Sequence, residues 1–104
     1  MTPVICLGTA QFGLAYGITN KSGKTKESEV AKILKEAKAK NITFLDTAQA
    51  YGDAEAILGR NIEYPNNCRI ISKLPKQNDK VFTAKNRITW EENIHRSLQK
   101  LGTN

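Results

Sequence analysis

Two cysteines, one histidine and three prolines are all that 104 residues hold of these types, and each scarcity removes a class of protein. Two separated cysteines and a lone histidine do not make a zinc set, so no metal is expected. Few prolines and seven glycines leave no low-complexity tract, and no internal repeat is present. No stretch approaches the roughly 20 consecutive apolar residues that crossing a bilayer requires, which excludes a membrane span. Met1-Thr2-Pro3 runs straight into apolar residues, without the basic lead and small-residue cleavage site of a signal peptide, so a cytoplasmic protein is expected. Aromatics are scarce where charge is dense. The net charge is +6, from 16 Lys+Arg against 10 Asp+Glu. Much of the excess lies between Lys21 and Lys40, where lysines alternate with Glu27, Glu29 and Glu36 and no ring is interleaved to stack on a base. That pattern describes a solvated helix face and argues against a nucleic-acid partner.

What is present reads as one α/β unit spanning residues 1–104. Val4-Ile5-Cys6-Leu7, bounded by Pro3 and Gly8, predicts a first strand buried on both faces. A Gly-rich stretch from Gly8 to Gly17 and polar residues to Lys24 form a connection longer than the usual 2–6 residues, a length typical of functional loops. With Thr25 as N-cap, Val30, Ile33, Leu34 and Ala37 recur at helical spacing and predict a helix over about 26–40. Asn41 tolerates the left-handed C-cap, and Ile42-Thr43-Phe44-Leu45 is the second strand. Asp53 is the expected N-cap of a short helix from Ala54 to about Arg60, with Ala54, Ile57 and Leu58 facing inward. Cys68 to Ser72 reads as the third strand and 74–88 as a second long loop. Thr89 and Glu92 then form a capping box for a last helix with the stripe Trp90, Ile94, Leu98, Leu101, closed by Gly102. The order is βαβαβα, which predicts a parallel sheet, either doubly wound or part of a (β/α)8 barrel. If the second strand lies between the other two, Cys6 and Cys68 stand about 9.6 Å apart, beyond the reach of a disulfide, and both are expected as buried thiols.

Three polar residues fall at or just after the C-terminal ends of strands, where such folds keep their working groups: Asp46, Tyr51 and Lys73. A carboxylate can hold the ammonium, and an ammonium beside a phenol stabilises the phenolate, so the three together make a proton-donor unit with Tyr51 as general acid.

Asp46-Thr47-Ala48-Gln49-Ala50-Tyr51-Gly52-Asp53-Ala54-Glu55-Ala56-Ile57-Leu58-Gly59 closely resembles the D-T-A-x-x-Y-G-x-S-E-x-x-L-G signature of aldo-keto reductases. An L-G-T-A-Q-F-G opening at Leu7 to Gly13 and an S-K pair at Ser72-Lys73 flank it in the family's order, so the resemblance covers essentially the whole chain. Ala54 stands where the family often has Ser, and Asn41 where a Gly usually precedes the strand. The resemblance implies that Tyr51 donates the proton to a carbonyl oxygen, that Lys73 and Asp46 tune it, and that NADPH supplies the hydride. It further implies that Gly8, Thr9 and Ala10 approach the nicotinamide and that Phe12 borders the substrate mouth. The opening through Tyr16-Gly17-Ile18-Thr19-Asn20 is similar to bacterial members tied to sugar and surface-polysaccharide pathways.

The family's catalytic histidine follows a fourth strand, which this sequence does not contain; His95 falls on the last helix as an outer-ring residue. A (β/α)8 barrel needs about 250 residues, so the expected fold is the N-terminal portion of one. Glycines from Gly8 to Gly17 do not follow a G-x-G-x-x-G spacing, so no substitute dinucleotide site is expected. Two readings follow. One is the N-terminal part of an NADPH-dependent reductase of small carbonyl compounds, whether aldehydes, ketones or sugar-like substrates, inactive as this chain alone. The other is a non-enzymatic module that self-associates or binds a partner through its open sheet edges.

Overall fold

A computed structural model describes residues 3–62 and 68–103. Three short parallel strands, β1 (Cys6–Gly8), β2 (Phe44–Asp46) and β3 (Arg69–Ile71), lie in one open sheet in the order β1-β2-β3. Leu7, Leu45 and Ile70 stand in one row across the sheet, and Gly8, Asp46 and Ile71 in the next. Because side chains alternate along a strand, the first row faces the helices and the second the opposite side. The architecture matches the N-terminal part of a (β/α)8 barrel, with its strands in the expected order.

The helices are α1 (Ala10–Gly13), α2 (Glu27–Ala39), α3 (Ala54–Asn61) and α4 (Ala84–Leu101). The stripe on α2 behaves as read, with Val30 and Ala37 buried and Ile33 and Leu34 packed against the core. Lys26 rather than Thr25 is its N-cap, and Asn41 takes the left-handed conformation at φ 59° that ends it. On α3, Ala54, Ile57 and Leu58 are buried as expected. Asp53 makes no side-chain cap, because its carboxylate pairs with Lys24 at 2.6 Å. Gly59 lets α3 and α4 touch, since a Cβ there would collide with the Lys100 carbonyl.

Four further expectations are corrected. Val4 and Ile5 are 76% and 60% exposed, because strand pairing begins only at Cys6 and both residues precede it. Cys6 is exposed because it shares the face of Gly8 and Asp46, away from the helices, whereas Cys68 is half-buried; no disulfide joins them. Within the Gly-rich connection, α1 forms a turn of helix that no periodicity announced. Finally, α4 starts at Ala84: Thr83 and Asn86 make the capping box, while the Thr89 hydroxyl donates back to the Lys85 carbonyl inside the helix. Only the C-terminal half of its stripe is covered. Leu101 is buried, Trp90 and Ile94 remain 39% and 45% exposed, and Trp90 packs on Phe82 with ring centroids 4.7 Å apart.

Candidate active site

Asp46 is the last residue of β2, and its side chain lies on the face away from the helices. Lys73 follows β3 by two residues and so returns to that same face, where its Nζ donates to Asp46 Oδ1 at 2.5 Å and to the Thr47 carbonyl at 2.8 Å. Tyr51, half-buried in the loop between β2 and α3, sets its ring centroid 5.3 Å from Nζ. All three sequence-predicted groups therefore meet at one rim, at the C-terminal ends of two neighbouring strands. The hydrogen bond to Asp46 holds the Lys73 ammonium above the usual lysine range; partial burial opposes this, and Tyr51 adds a lesser upward push. Lys73 thus stays a cation throughout the neutral range, with two of its three protons committed and the third free to reach the phenol.

Two further groups support the rim, and the sequence analysis assigned neither. Glu55, on the first turn of α3, is only 2% exposed and accepts a hydrogen bond from the Ser72 hydroxyl at 2.8 Å. Ser72 precedes Lys73, so this contact ties the lysine-bearing end of β3 to the helix that follows Tyr51. The Glu of the Y-G-x-S-E signature was the available signal, because a charged residue among the inward positions of a helix implies a buried partner. Gln49 donates to the Asn93 carbonyl and to Ser97 Oγ on α4, a contact that no local pattern announces. His95 is exposed on α4, as an outer-ring residue should be. Among the described residues no three His, Cys, Asp or Glu side chains gather as a metal set.

A family model described as the aldo/keto reductase family matches residues 4–104. The chain belongs to that family. Solved aldo-keto reductases share its structure. Two from Pseudomonas aeruginosa are 32% and 30% identical, superpose with TM-scores of 0.72 and 0.69, and each align with 94% of this chain. A thermostable aldo-keto reductase solved with the inhibitor epalrestat is 26% identical, has a TM-score of 0.67 and aligns with 98% of the chain. The chain spans 38%, 36% and 35% of the lengths of these three. No curated protein matches it.

For an aldo-keto reductase the remaining question at this rim is room for a nicotinamide cofactor. Gly8 ends β1 beside Asp46, and a Cβ on it would meet nothing within 4 Å, so a flat ring has open space there. Thr9 is fully buried, and both its amide and its hydroxyl donate to the Asp46 carbonyl, at 3.0 and 2.9 Å. Its contribution is to clamp β1 onto β2 beside Asp46. Ala10 is half-buried at the start of α1. Phe12 is 4% exposed and belongs to the core cluster with Leu45 and Leu58, so its ring packs inside the fold rather than standing at a mouth. Its neighbour Leu14, 37% exposed, is the apolar side chain beside Gly52, next to Tyr51. A separate cleft of about 500 Å³ runs between β3 and α4, lined by Ile70, Ser72, Lys73, Ile94 and Leu98; Asp46 and Tyr51 do not line it.

Proposed function

We propose that this segment supplies the proton-donating side of an NADPH-dependent carbonyl reductase acting on aldehydes, ketones or sugar-like compounds. The observation that carries the reading is the Asp46–Lys73 pair set against the ring of Tyr51 at the rim of a parallel sheet. Family membership supports the reaction class, and the open space at Gly8 fits one end of the cofactor. When bound, the reduced nicotinamide supplies a hydride to the carbonyl carbon. Tyr51 donates its hydroxyl proton to the carbonyl oxygen as charge develops there, and the Lys73 ammonium stabilises the phenolate left behind. Asp46 and the Thr47 carbonyl keep that ammonium from swinging into solvent.

The test is a chimaera in which residues 4–103 replace the matching segment of a barrel-length Pseudomonas aeruginosa relative, assayed by carbonyl-dependent oxidation of NADPH. Tyr51→Phe should lower kcat by about 10²–10⁴-fold and leave the Kd for NADPH nearly unchanged, because the hydroxyl acts on charge that exists only in the transition state. A Tyr51→Phe chimaera with near-normal kcat removes the assignment.

A second reading rests on the bare sheet face, where Cys6 is exposed and Ile71 is 49% exposed, and on Val4 and Ile5 just before β1, which are 76% and 60% exposed. Expressed alone, the 104-residue polypeptide turns over no carbonyl substrate and associates with itself to cover that surface. Light scattering that finds a dilute, stable monomer rejects the association.

A further inference from the structure

We infer that Gln49 is a positioning residue that holds Tyr51 against Lys73, by locking the loop between β2 and α3 to β3 and α4 at once. The inference rests on the reading of Tyr51 and Lys73 as the proton-donating pair. It concerns a position that the family signature leaves unspecified.

Tyr51 sits in a connecting segment, residues 47–53, and such segments are the mobile parts of a fold unless something restrains them. Two backbone bonds zip the first half of the loop to β3 and its extension: Thr47 N–H to the Ile71 carbonyl at 2.8 Å and Gln49 N–H to the Lys73 carbonyl at 3.1 Å. Beyond Gln49 the loop's amides turn inward, with Tyr51 N–H bonding the Ala48 carbonyl at 3.1 Å. Gln49 is therefore where the loop leaves β3, and its amide is bonded to the very residue whose side chain must meet Tyr51.

Its side chain makes the second restraint. Nε2 donates to the Asn93 carbonyl at 2.5 Å and to Ser97 Oγ at 2.7 Å, acceptors one helical turn apart on α4. Ser97 is only 9% exposed and Gln49 is half-buried, so water competes weakly for these bonds. Both amide protons are used, a demand that neither a carboxylate nor an aliphatic side chain can meet. From the β1 side the loop is confined by Gly13, where a Cβ would collide with the Tyr51 carbonyl. Gln49 supplies the opposing restraint from the β3 side. Without it, the loop keeps its floor and loses the wall that presses the phenol toward the ammonium.

The test reads geometry and needs no turnover, so it can fail independently of the reductase reading. In the 104-residue chain, NMR measures the ring-current shift that Tyr51 imposes on the Lys73 ε-methylene, with Tyr51→Leu as the ring-free reference. Gln49→Leu should lose most of that shift and Ser97→Ala part of it, and the double variant should lose no more than Gln49→Leu alone. An unchanged shift in both single variants, even with a lowered melting temperature, reduces Gln49 to a structural clamp and overturns the inference. Should Gln49→Leu fail to fold, Ser97→Ala decides by the same criterion. A wild-type shift equal to that of Tyr51→Leu would overturn the inference together with the pairing it depends on.

Discussion

Leu45 and Asp46 are adjacent in sequence and lie on opposite faces of the same sheet, and the contrast between them runs through the molecule. Leu45 is 2% exposed in a cluster with Val30, Ile57 and Leu58, on the face that the helices cover. Asp46 shares its face with Gly8, Ile71 and Lys73, where side chains are exposed or half-exposed and the contacts are polar. The same alternation separates Ser72, bonded to buried Glu55, from Lys73, bonded to Asp46. One face therefore carries the packing and the other the Asp46–Lys73 ion pair. The difference teaches why this rim holds its ion pair so firmly: Asp46 and Lys73 each follow, by one residue, a side chain held on the packed side, Leu45 and Ser72.

Substitutions across the sheet should break the two faces unequally. The largest effect falls on the packed face, where Leu45→Ala should cost about 2–5 kcal/mol of unfolding free energy by denaturant titration. Ile71→Ala on the other face should stay within about 0.5 kcal/mol. Equal losses would mean that the open face carries packing of its own. The next largest falls on the anchor: Ser72→Ala strips the donor from Glu55 Oε2 and should cost about 1–3 kcal/mol, because a buried acceptor is left unmet.

The smallest effect is electrostatic. Lys73 is raised in the folded state, so its pairing contributes stability fully below the ordinary lysine pKa, and the contribution is lost as pH rises through the raised folded value. Because the pair is substantially exposed, wild type and Lys73→Met should differ by no more than about 1 kcal/mol near neutrality. That gap should close in alkaline solution. A gap that persists well above the lysine range would show that the methylene stem, not the charge, does the stabilising.

Much of the fold was legible in the chain because its signals are local. The spacing of Val30, Ile33, Leu34 and Ala37, the left-handed Asn41 and the closing Gly102 act over a turn or less, and all three operate in the structure. The start of α4 was not legible, since residues 84–88 carry no apolar period and the competing Thr89 with Glu92 imitates a cap. Asp46, Tyr51 and Lys73 could be named from their places after strands. Phe12 could not be placed, because whether a ring in a Gly-rich loop turns inward depends on which elements lie beneath it.

The sequence by itself determined the order of the elements apart from the short α1, the parallel pairing that the alternation of strands and helices demands, and the three groups that share a rim. Only the tertiary structure decided that Cys6 is exposed, that Glu55 meets Ser72 and that Gln49 reaches α4. The physical reason is range. Capping and periodicity join residues a few positions apart, whereas the Gln49 contacts join residues 44 and 48 positions apart, which meet only once the sheet has brought α4 alongside the loop.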